Sequence, residues 1–251
     1  MRSLRAAIVL LARSPVGVGR AGPPQLSRTV PWFPIVGAGI GALVGLAYLA
    51  IAQVLPATVS AAVAVSFGVA VTGAFHIDGL ADCADAFAGG ATVERRLEIL
   101  KDSTLGTYGT SALALVLLVE IAALAALDPT TGLKSLVSAY AIGRGASVCV
   151  MAFSRKTVRE GLGADYITEL NGLRCAVGVF AAIFLVIALN GTQAAVLLVF
   201  ALPPTVLMWA WSHRSIGGVV GDSLGAITQL SQTSVLLGAV TLNSGVCACS
   251  W

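Results

Sequence analysis

"ATVSAAVAVSFGVAVTGAFHIDGLADCADAF", residues 57–87, is apolar for about its first twenty positions and then turns acidic. Twenty apolar residues in a row is the length a helix needs to cross the hydrocarbon of a bilayer. Only helices and closed barrels satisfy every backbone N–H and C=O there, and the run has no two-residue alternation, so it reads as a helix. It ends on three aspartates, Asp78, Asp82 and Asp85, which a purely lipid-facing segment has no use for.

Working outward, the apolar signature recurs. Segments at residues 33–55, 57–77, 110–127, 135–153, 175–190, 193–211 and 226–248 predict an all-α, polytopic membrane bundle. It would have about seven transmembrane helices and form one domain over residues 1–251. Composition agrees: 57% of the residues are hydrophobic, mean hydropathy is +0.91, and 11% are charged. Soluble domains carry roughly a quarter. The seventh segment is the weakest, since polar residues interrupt "TQLSQTSVLLGAVTLNSG"; the fifth is short, and Pro203 and Pro204 are expected to kink the sixth. The N-terminal "MRSLRAAIVLLARSP" has too short an apolar part for a signal peptide and no small-x-small cleavage site, so it reads as an amphipathic helix at the membrane face. A net charge of +3 gives no footing for nucleic acid. Five cysteines, with Cys247 and Cys249 as a C-x-C pair, match neither a zinc pattern nor a disulfide framework.

Basic residues orient the bundle. Thirteen of the fifteen lie before the first span or in the segments between spans two and three, four and five, and six and seven. A seven-span alternation puts all of these on one side, which the positive-inside rule makes the cytoplasm. Lys134 falls on the other side and Arg144 inside a span. Ten of the twelve acidic residues share the basic side, although carboxylates do little to set topology. The chemistry is therefore expected in the cytoplasmic segments 78–108, 154–174 and 212–225.

Spacings of four and three put Asp78, Asp82 and Asp85 on one helical stripe, where bare like charges repel. A divalent cation reverses that, and hard oxygen ligands suit magnesium or manganese. The bland alternative is a solvated helix start favoured by the helix dipole. Three roles are open to His76: general base, metal ligand or interfacial polar residue. "ERRLEILKDSTLGTYGTS", residues 94–111, begins as an amphipathic helix and then supplies Lys101, Asp102, Ser103 and two glycines ahead of the third span. Glycines and hydroxyls at such a place can offer backbone N–H groups to an anion, or simply cap the helix. Asp102 is a fourth carboxylate candidate. "SRKTVREGLGADY", residues 154–166, carries Arg155 in a basic cluster followed by Gly-Leu-Gly, and "GGVVGDSLGA", residues 217–226, places Asp222 in a glycine-rich turn. Arg144 and Glu120, both within spans, either pair with each other or leave Arg144 a substrate role. Carboxylates, basic residues and glycine-rich segments on one face are the equipment of phosphoryl transfer. Neither a Walker A loop nor a dinucleotide fingerprint is present.

The blocks "TGAFHIDGLADCADAFAGG", "RRLEILKDSTLGTYG" and "GDSLGA" resemble the signature segments of the cobalamin synthase family, the adenosylcobinamide-GDP ribazoletransferases. "ARSPVGV", the "GRG" around Arg144 and "REGLG" at 159–163 fall where that family has similar segments, so the resemblance spans nearly the whole chain. Ala74 stands where the family often has glycine, and "NSGVCACSW" has no counterpart. The resemblance implies a magnesium-dependent (Mg2+) enzyme of the bacterial cytoplasmic (inner) membrane. Adenosylcobinamide-GDP would react with α-ribazole, or its 5′-phosphate, to give adenosylcobalamin, or its 5′-phosphate, and GMP. Asp78, Asp82 and Asp85, with Asp102, would hold the metal. Asp82, Asp102 or His76 would serve the proton transfer, and Lys101, Ser103, Arg144, Arg155 and Asp222 would bind substrate. Self-association into a homo-oligomer stays open.

Two rivals have distinct signs. CDP-alcohol phosphotransferases also gather aspartates at the membrane face, but their D-G-x-x-A-R pattern fails here because Asp82 and Cys83 stand where the alanine and arginine would be. A cation-coupled transporter would carry carboxylates at the bilayer midplane and internal repeats.

Overall fold

The computed structural model describes residues 2–12, 28–154 and 172–244, and no strand occurs among them. Helix α1 (Arg2–Leu11) packs on α2 (Phe33–Ile51). Then follow α3 (Ala57–Thr72), α4 (Phe75–Gly89), the short α5 (Val93–Ile99), α6 (Thr107–Ala125) and α7 (Pro129–Ser154). The chain closes with α8 (Gly172–Asn190), α9 (Ala194–Ile216) and α10 (Gly221–Asn243). Arg155, the glycines at 161 and 163, and the tail from 245 lie outside the described residues.

Side-chain contacts fix the direction of each long helix. Gly37, Gly41 and Gly45 of α2 meet Tyr140, Leu136 and Leu133 of α7, so these two helices run antiparallel. Gly178 lies against Val148 and Asn190 Nδ2 donates to Ser138 Oγ at 2.8 Å, so α8 climbs back along α7. Trp209 Nε1 donates to Ser154 Oγ at 2.9 Å, which returns α9 to the end that α7 reached. The 45-residue apolar stretch Gly172–Ile216 is thus two crossings, turned at Gly191, whose φ of +57° breaks the helix. With α3, α6 and α10, seven long helices run between two ends, in agreement with the expected alternation. Lys134 sits at one end and the aspartates at the other.

By length and apolarity alone, Val30–Ile51, Thr107–Ala125, Pro129–Ser154 and Gly172–Ile216 qualify as membrane spans among the described residues, and α3 with α4 passes as a bent pair. Helix α10 falls short, as its polar sequence foretold. It is buried at Ile227, Thr228, Gln229, Gln232 and Leu236, against α4, α7 and α9, and so does not need to be apolar all round. Helix α8 does the reverse: Leu173, Val177, Phe180, Phe184 and Ile187 form one exposed stripe, with Phe184 74% exposed, the pattern of a lipid-facing surface. Pro203 and Pro204 lie inside α9 without ending it.

The glycines of α2 went unnoticed in the sequence. A Cβ on Gly41 would stand 2.5 Å from the Leu136 carbonyl oxygen, and one on Gly37 2.5 Å from the Tyr140 carbonyl oxygen. Small residues at four-residue spacing let two backbones touch where no hydrophobic effect drives helices together. Gly39, on the other side, meets nothing within 4 Å.

One expected boundary is corrected. The second span was placed at 57–77, but α3 ends at Thr72, and α4 leaves it at 89°. Gly73 and Ala74 both take φ of +62°, the left-handed region. Apolarity continues past the bend because Ile77 and Leu80 pack into the core from α4, so composition alone hid it. Helices α4 and α5 replace much of the expected 78–108 segment, which is not a loop. A left-handed Ala costs about 1 kcal/mol that glycine avoids. Ala74→Gly should therefore raise the thermal unfolding midpoint of the purified protein, whereas Ala74→Val should lower it.

Candidate active site

Helix α4 crosses the aspartate end of the bundle and presents different residues to different neighbours. Asp78, in its first turn, is exposed; Asp82 is half-buried; Asp85 is buried. Gly79 lets α4 touch the first turn of α10, since a Cβ there would lie 2.8 Å from the Asp222 carbonyl oxygen. Asp222 thereby joins Asp78 and Asp82. Below them Ser223 Oγ is 2.7 Å from Ser212 Oγ and 3.9 Å from Cys83 Sγ, knitting α4, α9 and α10 together.

The electrostatics of Asp82 register this crowding. Burial pushes its carboxyl up to about 7, and the neighbouring charges of Asp78, Asp222 and Asp85 push the same way. As they stand, no three His, Cys, Asp or Glu side chains among the described residues are arranged so that they could hold a metal ion by themselves.

Asp85 has a different duty from its stripe-mates. Its Oδ2 accepts from the Gly106 N–H at 2.7 Å and its Oδ1 from the Gly109 N–H at 2.8 Å. Both oxygens are engaged in capping the N-terminus of α6, where the helix dipole also favours an anion. A Cβ on Gly106 would stand 2.5 Å from Asp85 Oδ1, and one on Gly109 would press against Oδ2. The glycine pair of "GTYG" therefore does hold an anion, and the anion is the protein's own.

The remaining candidates separate. Asp102 is exposed, and its Oδ1 accepts from the Thr104 N–H at 3.0 Å; the Thr104 side chain and then that N–H hold its carboxyl below the usual range, and Asp102 is not among the groups acting on Asp82. Lys101 and Ser103 are exposed on the same link between α5 and α6. Arg96 spends its guanidinium on the chain, Nε on the Gly90 carbonyl and Nη1 on the Ser215 carbonyl, each at 2.9 Å. Arg95 pairs with Glu98 at 3.0 Å in the open, where such a pair is worth little.

His76 and Arg144 form a second, deeper group. His76 is buried, with Nδ1 3.4 Å from Arg144 Nη2. Arg144 is 1% exposed, lies 4.6 Å over the Tyr140 ring, and donates Nη1 to Gln232 Oε1 at 2.9 Å. Glu120 does not pair with it directly. Glu120 Oε1 accepts from Gln229, Gln232 and Thr233 at 2.9, 3.2 and 2.8 Å, so Gln232 bridges the two charges. These polar residues of the weak seventh span are the signal that was missed: they solvate a carboxylate inside the membrane.

With this geometry in view, comparison with known proteins is direct. The profile of the cobalamin-5-phosphate synthase family matches residues 3–240. The chain belongs to that family. It is similar to the adenosylcobinamide-GDP ribazoletransferases of Shewanella frigidimarina (36% identical, covering 85% of this chain and 84% of that one) and Azorhizobium caulinodans (37% identical, 94% of each). The Escherichia coli K12 protein of the same name is 35% identical over 84% of this chain and 87% of its own. No solved structure matches. Family membership retires both rivals, the CDP-alcohol phosphotransferase and the transporter.

The cap and the cluster predict different phenotypes. Asp85→Asn keeps one acceptor and turns an amide against the other N–H, at a cost of about 1–3 kcal/mol. Thermal unfolding should show a lowered midpoint for Asp85→Asn and no fall for Asp82→Asn, which relieves repulsion.

Proposed function

We propose that this chain transfers the adenosylcobinamide-phosphate group of adenosylcobinamide-GDP to α-ribazole or its 5′-phosphate. The products are adenosylcobalamin, or its 5′-phosphate, and GMP. The observation that carries the reading is the meeting of Asp78, Asp82 and Asp222 on two touching helix turns, where all three raise the local negative charge. Phosphates are anions, so a carboxylate cluster fits such substrates only with a cation between them.

The donor set suits magnesium. Carboxylate oxygens are hard ligands, and magnesium is usually held by one or two carboxylates while keeping waters and taking the rest of its shell from substrate phosphates. An open cluster with no closed protein cage is consistent with that habit. Asp78, Asp82 and Asp222 would hold the ion, with Asp85 reserved for its helix cap. When bound, magnesium would neutralise pyrophosphate charge and stabilise the departing GMP.

The chain's own residues do the rest. The ribazole 3′-hydroxyl attacks the cobinamide-side phosphorus in line, the P–O bond to GMP breaks, and the hydroxyl proton passes to a carboxylate. Asp82, half-buried on the turn between Asp78 and Asp85 and facing Asp222, is the carboxylate placed to accept it through an oxygen that the cation leaves free. His76 is not: its ring is buried and its Nδ1 faces Arg144. Lys101 and Ser103, exposed beside the cluster's end of the bundle, meet phosphate oxygens on the approach side. Arg155 would add charge there.

The same reading places the protein in the cytoplasmic membrane of a bacterium, with the aspartate end facing the cytoplasm. The division of the basic residues along the sequence supports it, thirteen of the fifteen falling in segments that the alternation puts on one side.

Replacing Asp82 by Asn keeps the size and removes the charge. GMP release from adenosylcobinamide-GDP and ribazole should fall by at least about 100-fold, the order lost with a metal or transition-state contact. Protein level in the membrane should hardly change. Near-wild-type turnover of Asp82→Asn at low magnesium would refute the cluster's role.

A further inference from the structure

A cavity of about 130 Å³ opens beside the aspartate cluster, between α1, α2, α4, α7 and α10. Its walls are Leu10, Leu11, Phe33, Phe75, Met151 and Leu224. Polar atoms reach it only from His76, Arg144, Ser147 and Thr228. A cavity of roughly 150 Å³ with such walls accommodates benzene, so this one has room for about one aromatic ring. Two of its rims are the turns that carry the carboxylates: Phe75 and His76 precede Asp78, and Gly221 precedes Asp222.

Arg144 supplies the second observation. Its Nε is the one buried side-chain nitrogen or oxygen without a hydrogen-bond partner among the described residues. An unmet buried donor is costly, and a native structure keeps one where something else completes it. Its Nη groups are satisfied within the protein, and Gln232 links its charge to that of Glu120. The cavity walls are apolar and the unmet group is a single N–H, so the missing partner is a neutral acceptor and not an anion. An acyl chain would fill the apolar space but leave Nε unmet; a phosphate would bring charge into apolar walls.

We propose that this cavity receives one edge of the acceptor nucleoside's base, a neutral, flat, largely apolar heterocycle, the edge that carries its free acceptor nitrogen, and that Arg144 Nε–H meets that acceptor. The proposal rests on the function given above and deepens it. With the base in the cavity, the shared rims put the sugar hydroxyls beside Asp78 and Asp222. Helix α1, whose Leu10 and Leu11 form one wall, then closes over the base, which gives the N-terminal amphipathic helix a part in acceptor selection.

The test uses the full chain in lipid nanodiscs. Leu10→Trp fills the cavity from a half-buried position on α1, where folding is least at risk. Its KM for α-ribazole should rise at least about tenfold, the order set by steric exclusion from an apolar pocket, while KM for adenosylcobinamide-GDP stays put. Leu224→Ala enlarges the cavity and should shift preference toward ribosides with a bulkier base. Equilibrium dialysis of labelled α-ribazole, without donor, separates the two proposals. Binding by wild type that Leu10→Trp abolishes supports the cavity even if no GMP is ever released. Turnover with an unchanged ribazole KM in folded Leu10→Trp overturns the cavity and leaves the reaction standing. A rise in the donor KM alone would also overturn it.

Discussion

One carboxylate bonded to two backbone N–H groups holds the chemical end of this protein together. Asp85 of α4 caps α6 through Gly106 and Gly109, tying it to α6 by charge-assisted hydrogen bonds in addition to the packing of α4 against α6, α9 and α10. The anchor needs both glycines, because any side chain there would occupy the space of the carboxylate. It also needs α4 to leave α3 at a right angle, which the left-handed pair Gly73 and Ala74 provides. Strain at Ala74 and close approach at the glycines are the conditions under which Asp78 and Asp82 reach Asp222.

The result is a deliberate concentration of like charge. Three carboxylates on touching turns destabilise one another; burial raises the Asp82 carboxyl to about 7, and the charges of Asp78, Asp222 and Asp85 push the same way. Local cost of this kind is common where function needs it. Deeper in the bundle the opposite policy holds. Arg144 and Glu120 are neutralised through Gln232, with Gln229 and Thr233 completing the carboxylate's shell. A network satisfied at all but one donor, Arg144 Nε, can sit in the bundle interior, whereas the carboxylate cluster lies at the end of the bundle.

The helical class and the succession of long apolar helices were legible because hydrocarbon leaves the backbone few options, and Lys134 and the aspartates fall at opposite ends as the alternation requires. The bend at 73–74 was not legible, since apolar residues run straight through it and alanine is no breaker. Nor was the split among the aspartates. Spacings of four and three place Asp78, Asp82 and Asp85 on one stripe, but no local pattern says that the start of a helix twenty residues later will turn its N–H groups onto one of them. Asp222 had a weaker sign, an acid beside glycine at a helix start, matched by the Asp78–Gly79 pair on the facing turn. Glu120 and Arg144 were found as buried charges; their bridge through Gln232 was hidden because the polar residues of α10 looked like a defect in a span.

The central claim is that Asp78, Asp82 and Asp222 form one cation site, drawn from two helices that are far apart in sequence. Manganese stands in for magnesium and can be followed directly by electron paramagnetic resonance on the full chain in nanodiscs, with GMP present to supply phosphate oxygens. Binding should be clearly weaker in Asp222→Asn than in wild type, with the fold retained, and unchanged in Asp102→Asn. Equal manganese binding by wild type and Asp222→Asn would contradict the account.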